Sequence, residues 1–81
     1  MKKDTIYFLE KEQKRVKENI ELCKKLIENY TRSKEVCPNR PEYDYARLYY
    51  DEKIADAEES LEDYYKELDI LRRLTWEETC K

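Results

Sequence analysis

The sequence predicts an all-α fold: an antiparallel two-helix hairpin with a heptad-like seam, which dimerises into a four-helix bundle. Glycine is absent from the 81 residues, which disfavours the tight turns and phosphate-binding loops that need a positive φ. Apolar residues recur at alternating steps of three and four in both halves of the chain, the spacing of helices that pack along a nearly straight seam. Both prolines lie in one short stretch between the two halves. The chain is therefore expected to reverse there, as a single domain over residues 1–81.

The first helix is predicted over about residues 4–36. Pro38 disfavours helical backbone at the residue before it, so this helix is expected to end near residue 35 or 36. Seven of its eight seam positions are apolar or aromatic: Ile6, Leu9, Gln13, Val16, Ile20, Cys23, Ile27 and Tyr30.

The hinge is predicted at residues 37–41, which read CPNRP. Asn39 is a good N-cap, and Glu42 three residues later completes an approximate capping box. Pro41 falls in the first turn of the next helix, where its missing N–H costs nothing. A connection this short between long helices predicts antiparallel neighbours.

The second helix is predicted over about residues 40–78. Folding the chain about the hinge pairs residues whose numbers add up to 77, so that Val16 lies beside Leu61. Gln13 then lies beside Tyr64 in the one layer that mixes polar and apolar groups. The seam positions of this helix are Tyr43, Arg47, Tyr50, Ile54, Ala57, Leu61, Tyr64, Leu68, Leu71 and Thr75.

Apolar residues off the seam predict a partner, because a lone hairpin cannot bury them. Residues 2–35 carry ten basic and seven acidic side chains, whereas residues 42–78 carry five basic and thirteen acidic ones. Segments of opposite sign attract, which favours pairing within or between chains. The expected partner is a second copy, another protein, or both. The off-seam apolar residues are Phe8, Leu22, Leu26, Tyr45, Leu48, Tyr49, Tyr65, Ile70, Leu74 and Trp76.

Composition disfavours several classes of function. No apolar run approaches the roughly 18–20 residues of a membrane span, and the start of the chain lacks the apolar core of a signal peptide. Three cysteines, an odd number, fit reduced thiols and a cytoplasmic protein. Histidine is absent, and Cys23, Cys37 and Cys80 are too widely spaced for a structural zinc site. No metal or other cofactor is expected.

An enzyme is not expected either. Without histidine, a general base would have to be a carboxylate or lysine with a shifted pKa, and helices this polar keep such groups solvated. The predicted function is that of a small, non-catalytic protein-binding regulator or inhibitor that acts through its helical surface. The composition is typical of small accessory proteins of bacteria or their phages.

The predicted binding site lies at the hinge and comprises Arg40, Tyr45, Arg47, Leu48 and Tyr49. Tyrosine and arginine dominate binding hot spots because they offer a large, rigid contact area with a polar handle. The alternative is a helical oligomer that binds a nucleotide or nucleic acid by stacking and charge at the same residues.

Nucleic acid is the less favoured ligand, because glutamates interrupt the lysines of the first helix. A second candidate surface is the acidic outer face of the second helix, at Asp56, Glu59 and Asp63.

Overall fold

The computed structural model describes residues 2–80 and forms a helical hairpin. Helix α1 spans Lys2–Val36 and helix α2 spans Asp44–Thr79, joined through a 3-10 turn at Pro41–Tyr43. The helices pack side by side into a rod with Cα extents of 61 × 14 × 13 Å. No strand occurs in the described part of the chain. The predicted all-α hairpin is confirmed.

The core is a single seam between the two helices. Val16 is completely buried, and Ile20 and Leu68 pack against it to form the centre of the core. Six side chains of the described residues are buried. All six occupy predicted seam positions, and none of them is polar or charged. They are Leu9, Val16, Ile20, Cys23, Ala57 and Leu68.

The predicted register along this seam is wrong. The Gln13 Nε2 group donates a hydrogen bond of 2.7 Å to the Thr75 hydroxyl, so Gln13 does not form a layer with Tyr64. Two ion pairs also link the helices, Arg15 with Glu67 at 2.6 Å and Lys34 with Asp51 at 2.6 Å. The residue numbers in these three pairs add up to 88, 82 and 85 instead of 77. Helix α2 is therefore displaced along α1 by about one heptad.

The hinge also differs from its prediction, because helix α2 begins at Asp44 and not near residue 40. Residues 41–43 form the 3-10 turn, in which the Tyr43 N–H donates to the Arg40 carbonyl at 3.0 Å. No side-chain capping bond forms at the start of this turn or of α2, so the Asn39 capping box is not realised. The longer connection leaves Tyr43 exposed instead of in the seam.

Neither helix could span a membrane, because within residues 2–80 no helical stretch is both long and apolar enough.

Candidate binding surfaces

Arg47 holds the hinge together from the first turns of α2. Its guanidinium donates to the Pro38 carbonyl, to the Arg40 carbonyl at 2.9 Å, and to the Asp44 carboxylate. Its side chain is only 23% exposed. Of the predicted hinge-site residues, Arg47 therefore faces inward, and it fixes the connection by binding two of its backbone carbonyls.

Three tyrosine rings from both helices meet beside the hinge. The Tyr49 ring lies 5.6 Å from that of Tyr50, and Tyr30 of α1 lies 6.5 Å from Tyr49 and 6.2 Å from Tyr50. The Lys53 ammonium stands 5.5 Å from the centre of the Tyr49 ring, a cation–π distance. Tyr49 is 49% exposed, so it offers one ring surface to solvent while the others fix its position.

The remaining predicted hinge-site residues point outward. Tyr45 is 73% exposed and Leu48 is 60% exposed, and the Arg40 side chain is exposed on the connection. Leu48 and Tyr49 are the i+3 and i+4 neighbours of Tyr45 on α2, so the three side chains form a continuous patch. Together with Arg40 we call these three residues the hinge patch.

The second candidate surface is also exposed. Asp56, Glu59 and Asp63 project from the outer side of α2 at helical spacing. None of the salt bridges among the described residues involves these three carboxylates. These three carboxylates therefore remain outside the ion pairs of the hairpin.

A third surface runs along one flank of the rod and groups several of the off-seam apolar residues that the sequence predicted to need a partner. The Arg15–Glu67 ion pair crosses between the helices on this flank. A shallow groove of about 220 Å³ lies on the same flank. Its lining comes from both helices and includes the apolar Leu26 and Ala57 as well as the charged Lys53 and Asp56. We call this flank the apolar face. Its exposed apolar residues include Phe8, Leu22, Leu26, Ile70 and Leu74.

The apolar face is also depleted of charge on α1. Of the ten α1 positions that point to it between residues 5 and 36, only Glu12 and Arg15 are charged, and these two pair with each other at 2.9 Å. Of the nine positions on the opposite flank, seven are charged. Those seven are Glu10, Lys14, Lys17, Glu21, Lys24, Glu28 and Glu35.

Neighbouring side chains raise the pKa values of two cations, Arg15 and Lys24. Glu12, followed by Glu67, raises the pKa of the Arg15 guanidinium above its usual value. Tyr65 of α2, followed by Glu21, raises the pKa of the Lys24 ammonium on the opposite flank. Both cations are solvent-exposed, so these interactions orient side chains and contribute little to stability.

The geometry offers no sign of an inorganic site. No group of three or more Cys, Asp or Glu side chains within residues 2–80 is arranged to hold a metal ion. Every buried side-chain nitrogen or oxygen in this range has a hydrogen-bond partner. The candidate binding sites of the rod are therefore surfaces: an exposed patch at the hinge, an acidic side on α2, and an apolar flank.

Comparison of the chain with protein-family models, curated proteins and solved structures found no match.

Proposed function

We propose that this protein is a non-catalytic, protein-binding regulator that works as a homodimeric four-helix bundle. The observation that supports this proposal is the amount of apolar surface left uncovered. Thirteen large hydrophobic side chains of the hairpin are exposed, and contiguous patches of this kind mark interaction sites on proteins. A second copy covers one part of this surface, and a regulated protein contacts the other.

The hinge patch is the proposed contact with the regulated protein. Tyr45 and Leu48 supply the exposed apolar area, and Tyr49 is held in place by Tyr30 and Tyr50. A ring that is already ordered loses little conformational entropy on binding, which raises affinity. Arg40 is the free cation of the patch. A fitting partner therefore has an apolar recess beside a carboxylate.

A second candidate function is binding of a nucleotide or nucleic acid at the same patch. It is favoured by the cation–π contact of Lys53 with Tyr49, because a stacked base can use the same ring and the same charge. Commitment of Arg47 to the hinge carbonyls removes one of the cations this function would need. The ultraviolet spectrum of the purified protein separates the two functions, since bound nucleotide shifts the absorbance maximum toward 260 nm.

Tyr45→Ser, compared with Tyr7→Ser, tests the hinge patch. Both tyrosines are exposed to a similar degree, 73% and 68%, but Tyr7 lies at the far end of the rod from the hinge. The protein is first used to capture partners from the source cell, and the captured protein is then titrated with each variant.

Tyr45→Ser is expected to weaken that binding by about 5- to 150-fold, the effect of losing an aromatic hot spot of roughly 1–3 kcal/mol. Tyr7→Ser should bind as the parent does. Equal affinity of both variants would rule out the hinge patch as the contact with the regulated protein.

A further inference from the structure

The apolar face has the size of a dimer interface, and its α1 side has the composition of one, whereas its α2 side also carries Lys53, Asp56 and Glu67. The rod is 61 Å long and 14 Å wide, so this flank projects roughly 850 Å², close to the area each partner contributes to a stable interface. Burial of Leu22 and Leu26, which are 57% and 45% exposed in the hairpin, would remove apolar surface from water along the middle of the rod. The opposite flank of α1 carries seven charges, which such an interface would have to desolvate.

Two symmetric ways of stacking the hairpins through this face differ in which helices meet. A two-fold axis parallel to the rod puts both hinges at the same end and lays α1 against the partner's α2. A two-fold axis across the rod puts the hinges at opposite ends, and lays α1 against the partner's α1 and α2 against the partner's α2. Neighbouring helices in a bundle are about 8–10 Å apart, within about one Debye length at physiological salt. Charges on facing helices therefore act on one another.

The charges of the two helices favour the first arrangement. Residues 2–35 carry a net charge of +3, from ten basic and seven acidic side chains, and residues 42–78 carry −8, from five basic and thirteen acidic ones. With the axis parallel to the rod, every pair of neighbouring helices has opposite sign. With the axis across the rod, the two acidic helices lie side by side, which like-charge repulsion opposes.

The groove on the apolar face fits the same arrangement. Ala57 and Ser60 are small residues on its α2 side, with Lys53 and Asp56 beside them, and Leu26 borders it on α1. A two-fold axis parallel to the rod keeps each residue at the same height in both copies. The partner's Leu26 then meets the groove, in the knobs-into-holes manner of helical bundles.

We propose that two copies pack through the apolar face with both hinges at the same end, each α1 lying against the partner's α2. This inference rests on the proposed homodimer and adds its interface and its orientation. One consequence is that the two hinge patches project from the same end of the bundle, where a single regulated protein or a symmetric pair can contact both.

Spin labels on the native cysteines test the orientation, because Cys37 lies at the hinge and Cys80 at the other end of the rod. One protein keeps only Cys37, through Cys23→Ala and Cys80→Ser, and a second keeps only Cys80, through Cys23→Ala and Cys37→Ser. Light scattering in reducing buffer is expected to give twice the chain mass of 10.1 kDa.

Pulsed dipolar spectroscopy is then expected to give label separations of about 20–30 Å for both proteins, set by helix packing distances plus the label arms. Separations of about 50–60 Å, the helix length along the 61 Å rod, would mean opposite hinges. That result overturns the orientation but leaves the homodimer standing. A monomer at high concentration overturns both.

Leu26→Glu, with Leu48→Glu as its matched control, tests the interface. Both leucines are exposed in the hairpin, 45% and 60%, but only Leu26 is on the apolar face. Leu26→Glu is expected to raise the dissociation constant of the dimer at least about 30-fold, because it desolvates a charge. Leu48→Glu should leave it unchanged.

Circular dichroism verifies that each variant is helical. If Leu26→Glu loses helicity, Leu22→Glu takes its place, since Leu22 is more exposed in the single hairpin. A folded variant on the apolar face that dimerises as tightly as the parent would refute this interface.

Discussion

Truncation of Leu68 is expected to destabilise the hairpin by about 3 kcal/mol. Leu68 is 5% exposed and packs with Val16 and Ile20 at the centre of the core. Leu68→Ala removes three carbon atoms, and at about 0.8 kcal/mol per buried methylene this costs about 2.4 kcal/mol. A residual cavity of about 50 Å³ adds roughly 1.2 kcal/mol. The rod is only two helices thick, so partial collapse around the site reduces that second contribution.

The matched control is Leu48→Ala, the same substitution at a site that is 60% exposed. Because less than half of its side chain leaves water on folding, its expected cost is about 1 kcal/mol. Urea unfolding followed by circular dichroism gives both values, at one fixed protein concentration because the assembly state contributes to apparent stability. The total stability expected of a chain this size is about 4–12 kcal/mol, so the loss at Leu68 should shift the midpoint visibly. Equal losses in the two variants would refute the assignment of the core.

Two further predictions concern the register and the hinge. A double-mutant cycle of Gln13→Ala with Thr75→Ala should give a coupling energy of about 0.5–1.5 kcal/mol for their hydrogen bond. The cycle of Gln13→Ala with Tyr64→Phe should give a coupling energy of about zero. The reverse result would support the register in which Gln13 lies beside Tyr64. Arg47→Met should cost about 1–2 kcal/mol in urea unfolding, because two hinge carbonyls lose a charged donor that is partly shielded from water. Arg40→Met should cost less than about 0.5 kcal/mol, as exposed substitutions do, and a similar cost for both arginines would contradict the structural role of Arg47.

The heptad spacing was sufficient to predict which side chains face the other helix but not where along that helix they lie. Alternating steps of three and four place Val16, Ile20 and Leu68 on the seam, and all three are buried. A shift of one helix by seven residues keeps every seam residue in the seam, so spacing alone does not distinguish the two registers. The length of the connection and contacts such as Gln13 with Thr75 make that choice.

The hinge shows a second limit of local sequence patterns. Asn39 and Glu42 fit a capping motif, yet the hinge carbonyls are bound by Arg47, nine residues beyond Pro38. Capping motifs describe neighbours within one turn of the cap, whereas Arg47 reaches back to the hinge carbonyls from the fourth residue of α2. The sequence contained one indication of this role: Arg47 occupies a seam position, and the predicted register placed no acidic residue opposite it.

The exposure of the hinge-patch residues could be predicted from the sequence, whereas the grouping of residues on the apolar face could not. Exposure of Tyr45 and Leu48 follows from their distance from the seam, which the sequence shows directly, and the structure confirms it. The apolar face combines residues of both helices, including Leu22 and Ile70, into one flank. That combination requires knowledge of how each helix is rotated about its axis, which contacts such as the Arg15–Glu67 ion pair reveal.

The fully buried part of the core extends past the middle of the rod but stops short of the hinge. All six buried side chains fall within residues 9–23 and 57–68, and none of those described between residues 24 and 56 is buried. From there to the hinge the helices are held by half-buried seam residues such as Ile27 and Ile54, by the stacked tyrosines, by the Arg47 hydrogen bonds and by an exposed ion pair. These are weaker restraints against opening than the fully buried core. Amide hydrogens of residues 24–56 should therefore exchange with solvent through local opening, well before those near Val16 and Leu68. The end of the molecule that carries the hinge patch is therefore expected to open more often than the rest of the rod, while in the closed hairpin Tyr30 and Tyr50 keep the Tyr49 ring ordered.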